Sequence, residues 1–520
     1  MRKVVFVSVF ATILSFESFA STDFLHQPYN DIEWLNLLHY ENKVSLIDKN
    51  SDFFLSEQGY KNPQLEYEKT LELLNDKSLS GAKSIQCSYP ARTEFILKHE
   101  PTIILSKEKC TEYNEFYTSV PIDYIEIGFA AENNKSPISM MGHTFLILNG
   151  YTQNKVEKKH IFAYSANLQG VSTFDLIFDG LFLGLNGAYV LKPYTTYSSR
   201  YIQQEQRSIW KFRVDLTSQQ IEKIKKHLWE LKQHNIKYSL VFHNCNIATI
   251  SLLKVADKNL EPNSYGLFLT PVEYIQQVSD EQKITDIHIE PTETTKKIIN
   301  SYGLNYVLNA NKPSKLSIGY KHSNKQDGIS IKFSPVYQDT YDVTNAYFDI
   351  LESKMLDVQF DYLFNNKVIF NDITIIKLSS ITDTILTNTP TKHINLSLSN
   401  TPLNTHTGLY PVVEFGLGAG VHTKLFKAYI TPTIGYQYRN QNIVYMTPEI
   451  GLVSQIYDKS RIVFKYNPFL NILGKQNKYD SITGYIGYKP FDNMEFYTEY
   501  KQYYNFNHNY TLKFGINKYF

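Results

Sequence analysis

Tyr510-Thr511-Leu512-Lys513-Phe514-Gly515-Ile516-Asn517-Lys518-Tyr519-Phe520 is the stretch that decides the fold. In an extended chain Tyr510, Leu512, Phe514, Ile516 and Phe520 share one face, while Thr511, Lys513, Gly515 and Asn517 share the other. Successive side chains of a strand point to opposite sides, so this alternation puts an apolar row against one medium and a polar row against another. Lipid outside and a polar lumen inside impose that pattern on membrane β-barrels. Lys518 interrupts the apolar row, but near a strand end its stem can carry the ammonium to the interface. The preceding segment repeats the pattern, with Phe496, Thr498 and Tyr500 opposite Glu495, Glu499 and Lys501. Ile482, Gly484, Ile486 and Tyr488 give one more row.

Working back from there, period-two runs extend to Lys315, broken by turn clusters at Ser323 to Gly328, Ser399 to Thr407, Asn440 to Asn442 and Gly474 to Lys478. They predict an antiparallel transmembrane β-barrel over residues 315–520 with about 12 strands, ten or fourteen being the neighbouring even numbers. A soluble β-sandwich also alternates, but its strands are shorter. The aromatic Phe520 on the apolar face resembles the terminal signal of bacterial outer-membrane barrels.

Met1 to Ala20 reads as a secretory signal: Arg2 and Lys3, an apolar run from Val4 to Phe16, then Ser18-Phe19-Ala20 as a cleavage site. No window supplies the roughly 18 uncharged apolar residues of a spanning helix, so membrane residence must come from strands. With 52 basic and 51 acidic side chains the chain gives no electrostatic reason to expect nucleic acid as a partner. Its 40 Tyr and 32 Phe against 3 Trp suit many half-buried strands with aromatic ends. Export also gives the 3 Cys a meaning, because the periplasm is oxidising. Cys87 and Cys110 are read as a disulfide, which leaves Cys245 over. A leftover thiol is an intermolecular bridge, a reactive group or a buried inert side chain.

Ahead of the barrel, residues 21–115 read as a helical lead-in domain holding Cys87 and Cys110, residues 116–285 as an α+β domain, and residues 286–314 as a linker. Two helix starts are marked, by Thr217 with Gln220 and by Thr270-Pro271 with Glu273.

The chemistry-bearing residues lie in the middle domain. Gly142 precedes a strand that opens with His143, on which His143, Phe145 and Ile147 share a face. About a hundred residues later Tyr238, Leu240 and Phe242 alternate, followed by His243-Asn244-Cys245 and the run Asn246 to Leu253. Asn244 suits an N-cap and puts Cys245 on the first helical turn, where free N–H groups and the helix dipole favour thiolate. A strand-borne histidine can then act as base. Taken singly, each has a plain structural reading, as a core histidine and a packed cysteine.

Several stretches resemble the Lnb N-terminal periplasmic domain family: Cys87 to Arg92, Ser136 to Leu146, Tyr164 to Asn167, Gly180 to Gly187, Glu205-Gln206-Arg207 with Trp210, Asn244-Cys245 and Thr270-Pro271. That family is similar in turn to permuted papain-like folds, related to the NlpC peptidases and the lecithin retinol acyltransferase group. The resemblance implies Cys245 as nucleophile, His143 as general base and Asn167 as the group that orients the imidazole, with Tyr164 and His160 as alternatives. Gly142, Tyr164, Gly184 and Asn244 are assigned to the substrate side, and the Cys245 amide to an oxyanion hole. Leu183, Asn186 and Ser208 depart from the family pattern, in loops away from the proposed pair.

The expected protein is therefore multidomain: an α+β permuted papain-like periplasmic domain and a C-terminal outer-membrane barrel. Its expected activity is that of a cysteine hydrolase or acyltransferase on an amide or ester of an envelope component, either a peptidoglycan peptide or a lipid, with outer-membrane lipid around the barrel and no cofactor. A metal site using His143, His160, His243 and Cys245 is the second reading, although His-x-Cys is a poor zinc spacing. A third is a non-enzymatic binding or assembly module.

Overall fold

The computed structural model describes residues 27–131, 142–166, 185–232, 234–238, 244–262, 269–303, 307–324, 326–344, 351–400, 408–438, 441–474, 480–504 and 509–520. The expected signal segment lies outside them.

The chain divides into two compact units, residues 1–113 and 114–520. The first is helical, with α1 (Pro63–Asn75) and α2 (Pro90–His99) as its longest elements. Asn62 caps α1 by accepting from the Gln64 and Leu65 amides, and both helices carry Pro in the first turn, where no N–H is needed. Trp34 stacks on Phe95 at 5.3 Å. Arg92 and Glu66 form a fully buried ion pair at 2.8 Å, with Arg92 also donating to the Phe53 carbonyl at 2.9 Å. Burying these charges is tolerable because each is hydrogen-bonded. Cys87 and Cys110 form the expected disulfide, Cα to Cα 5.0 Å.

The middle domain is built on a seven-stranded antiparallel sheet: β1 (Tyr124–Ala130), β2 (His143–Tyr151), β3 (Glu157–Ala166), β4 (Leu185–Pro193), β5 (Ile209–Val214), β6 (Asn235–Tyr238) and β7 (Ile284–Glu290). Their spatial order is β6-β4-β3-β2-β1-β5-β7. One face packs on α4 (Cys245–Ala256), which rests on β2 and β3 and is backed by α3 (Ser218–Leu231). The other carries Phe145, Ile147, Ile161, Ala163 and Ile209, buried against Tyr194, Tyr197 and Tyr201. Thr217 and Gln220 form the expected capping box ahead of α3, and Thr270 caps α5 (Pro271–Asp280).

The linker expected at 286–314 is corrected by the structure. It contains most of β7 and the helix α6 (Glu293–Tyr302), capped by Thr292. Ile287 and Ile289 face Phe212 and Trp210 across the ladder, but the register shifts so that Ile284, not Thr285, meets Val214. That irregularity breaks the alternation that would have marked a strand.

The C-terminal sheet closes on itself. Its twelve strands are β8 (Lys315–Ser323), β9 (Gly328–Ser334, continued by Val336–Gln338), β10 (Leu351–Leu363), β11 (Lys367–Ser380), β12 (Thr391–Ser399), β13 (Tyr410–His422), β14 (Phe426–Thr431, then Thr433–Tyr438), β15 (Asn442–Met446, then Glu449–Ile456), β16 (Ser460–Asn467, then Leu470–Leu473), β17 (Asp480–Phe491), β18 (Met494–Tyr504) and β19 (Tyr510–Tyr519). Each pairs antiparallel with its neighbours in sequence, and β8 pairs with β19 from Lys315↔Tyr519 to Ser323↔Thr511. Four strands are interrupted at prolines, Pro335, Pro432, Pro448 and Pro468, whose missing N–H breaks the ladder locally.

Alternation decides which side each residue faces. Phe514, Ile516, Phe520, Phe496, Ile486 and Tyr488 lie on the outer face at 41–56% exposure. So large an apolar surface is stable only against lipid. Exposed Tyr320, Tyr362, Phe364, Tyr436 and Tyr438 stand near one end of the strands, and Tyr457, Tyr488, Phe491 and Phe520 near the other, as two interfacial aromatic girdles. Inside, charges pair: Lys513 with Glu499 at 3.0 Å, Lys377 with Glu352 at 2.8 Å, Lys465 with Glu449 at 3.3 Å, and Lys321 with Asp361.

An arginine at Phe514 should destabilise the barrel by about 2–4 kcal/mol if the position lies near the bilayer midplane. The unfolding midpoint in urea, measured in lipid vesicles, reads this directly. An unchanged midpoint would place Phe514 away from lipid.

Candidate functional site

α4 begins at Cys245 because Asn244 caps it: the Asn244 side chain accepts from the Asn246 amide at 3.0 Å, and its Nδ2 donates to the Leu269 carbonyl at 3.2 Å. Asn246 Nδ2 reaches the same carbonyl at 3.0 Å. Cys245 is free and buried, with 4% of its surface exposed.

Thr144 fixes this helix to the sheet with two bonds. Its hydroxyl donates to Asn246 Oδ1 at 2.7 Å, and its backbone N–H donates to Cys245 Sγ at 3.4 Å. That amide is available because β2 and β3 part company there, their pairing ending at Leu146↔Phe162, while β2 stays paired to β1 down to His143↔Ala130. The sulfur thus occupies the acceptor place in the fork between two diverging strands, beside the His143-Thr144 peptide. Gly142, at φ +75°, supplies the left-handed turn into the strand immediately before His143.

The structure therefore brings Cys245 to the strand end that bears His143. The imidazole turns to the face opposite α4, 6.1 Å from the Phe145 ring and 6.2 Å from the Tyr201 ring. Among the described residues no hydrogen bond joins it to the sulfur. Arg207 is the group both feel. Its guanidinium donates to the Ala131 and Ala130 carbonyls at 2.8 and 2.7 Å, contacts Glu205 at 3.2 Å and lies 5.2 Å from the centre of the Tyr201 ring. Desolvation, reinforced by the positive charges of Arg207 and Arg200, pushes the His143 pKa down from 6.5 to about 3. Burial pushes the Cys245 thiol up, opposed by the Thr144 hydrogen bonds and by Arg207. Both groups rest uncharged near neutral pH.

The remaining expected residues divide in two. Tyr164 is buried on the face that carries α4, 5.6 Å from the Tyr189 ring, and a Cβ at Gly187 would stand 2.3 Å from its hydroxyl. Burial raises its pKa, so it is a neutral phenol. Asn167, Gly184 and His243 lie outside the described residues. His160 registers with Leu148, four residues along the strand from Thr144 and away from the fork. Sequence reasoning assigned no role to Thr144, Asn246 or Arg207. Thr144 and Arg207 fall within the family-like stretches Ser136 to Leu146 and Glu205-Gln206-Arg207, which is their only signal, and Asn246 has none.

The fold and site define an outer-membrane β-barrel protein with a periplasmic domain ahead of the barrel. Residues 112–281 match the Lnb N-terminal periplasmic domain, the family that the middle domain resembles in sequence. Residues 26–99 match a domain of unknown function, DUF7843, and residues 308–519 match another, DUF7840. Among curated proteins none matches. Similar solved structures include the NanC porin, at 10% identity and TM-score 0.28 over 39% of this chain and 98% of that one. Outer membrane phospholipase A from Escherichia coli follows at 10% identity and TM-score 0.26, over 39% and 89%. Omp33 of Acinetobacter baumannii has 10% identity and TM-score 0.24, over 41% and 100%.

Two measurements check this geometry. Thr144→Val leaves Asn246 Oδ1 buried without its donor and should cost about 1–3 kcal/mol, read as a lower unfolding midpoint. The depressed His143 pKa sets a pH dependence. Below its ordinary value of 6.5 the unfolded chain takes up a proton that the folded chain refuses until about 3, so stability falls as pH falls through that window. His143→Gln should lose less stability than wild type between about pH 7 and about pH 5. Equal losses would mean the imidazole titrates normally.

Proposed function

We propose that the periplasmic domain is a thiol hydrolase or acyltransferase held at the outer membrane by the barrel, acting on an amide or ester of a peptidoglycan peptide or a lipid. The observation that carries this reading is the Thr144 N–H to Cys245 Sγ bond, which fixes a lone thiol at a helix N-terminus one residue from a histidine. The thiol proton passes to His143 as sulfur attacks the substrate carbonyl carbon. A C–S bond forms, the C–N or C–O bond breaks, and the imidazolium returns the proton to the leaving amine or alcohol. Water, or a second alcohol or amine, then releases the acyl group from sulfur. Asn167 orients the imidazole, the Cys245 amide faces the developing oxyanion, and Gly142, Tyr164, Gly184 and Asn244 contribute the substrate side.

At rest the thiol is neutral and the imidazole faces Tyr201, so this reading requires the His143 side chain to turn toward the sulfur before the proton moves. A non-enzymatic binding module on the barrel is the second reading, favoured by the lack of an imidazole-to-sulfur bond among the described residues.

Incubating the full-length protein with envelope extract separates the two by intact mass. Wild type should gain a hydroxylamine-sensitive acyl adduct that Cys245→Ala lacks and that forms more slowly in His143→Ala. Identical spectra from wild type and Cys245→Ala, with no difference in extract products, would leave the binding module standing.

A further inference from the structure

We infer that the barrel is sealed at its periplasmic end by its own chain, so that it anchors the protein without conducting solutes. The connection after β9 is the first on the side from which the chain enters, and it does not turn straight back into β10. Residues 339–344 fold inward and are buried there, Asp339, Thr340, Asp342 and Val343 each at 3% exposure or less.

Side chains from strands on several sides of the ring hold this segment. Lys354 on β10 pairs with Asp339 at 2.7 Å, and Lys315 on β8 with Asp342 at 3.0 Å. Arg461 on β16 donates to the Thr340 carbonyl at 3.2 Å. Glu495 on β18 accepts from the Val343 amide at 3.0 Å. Tyr341 meets the Tyr485 ring edge-on at 5.1 Å, with the Lys465 ammonium 4.5 Å from its ring centre.

An apolar layer completes the seal. Ile381, from the next connection on the same side, packs with inward-facing Tyr429, Val453, Val463 and Tyr485, and Tyr341 and Tyr497 pack against them. A water-filled pore needs a polar wall facing an open lumen, whereas here β14 to β18 send aromatic and aliphatic side chains to meet an inserted turn. Both carboxylates of the segment meet lysines of the wall, Asp339 with Lys354 and Asp342 with Lys315, and these buried pairs tie the turn to the barrel.

The test is electrical and uses the full chain in planar lipid bilayers, with folding checked by heat-modifiable gel mobility. Wild type should insert without discrete conductance steps. A variant whose residues 339–344 are replaced by a Gly-Ser connection should gain them. If that replacement fails to fold, the Asp339→Asn, Asp342→Asn double variant, which loosens the same segment, should gain transient steps instead. Steady open conductance from wild type overturns the seal, and a folded variant as silent as wild type overturns its assignment to this turn.

Discussion

Hydrocarbon offers no partner to a peptide group, and that constraint organises the whole C-terminal part of this chain. A sheet can cross lipid only if its first and last strands meet, which β8 and β19 do over nine residue pairs. The junction ends in reciprocal bonds between Ser314 and Phe520, with N···O distances of 3.0 and 3.3 Å. Closure fixes the inside as well. Every second residue of twelve strands must share one enclosed volume, so lysines and carboxylates there are tolerated as pairs, and residues 339–344 enter with their own counter-charges.

The periplasmic site follows another logic. Its sulfur is held where a β-ladder stops, and the N–H that would have gone to the next strand goes to a thiol. A cation that favours thiolate stands beside it, but the same cation disfavours imidazolium, and burial outweighs its help to the sulfur. The arrangement keeps a thiol and an imidazole close along one strand end, both uncharged at rest. Such a site stays quiet in an oxidising compartment, where a standing thiolate would be readily oxidised.

What the sequence disclosed was what depends on neighbours along the chain. Alternation at Phe514, Ile516 and Lys513 gave the barrel because two media act on opposite faces of one strand, residue by residue. Asn244 as cap and Thr217 with Gln220 as capping box were legible because a helix start is decided within four residues. β7 was missed where a register shift beside Thr285 hid its period. At the site, the shared face of His143 and Phe145 was legible from spacing, but the face on which α4 would pack was not, and so the turn of the imidazole away from the helix went unseen. The roles of Thr144 and Arg207 depend on where two strands diverge, a long-range outcome without a local signature.

Three of the four proline interruptions fall on consecutive strands, β14, β15 and β16. A cylinder of strands owes its stiffness in shear to the bonds that lace each strand to the next. Pro432, Pro448 and Pro468 remove donors side by side, and the pairing changes partners across them, Thr433 onward meeting one half of β15 and Thr431 backward the other. That quarter of the wall gathers three adjacent breaks in its lacing, so a hoop squeezed by lateral pressure from the bilayer bends there at least cost.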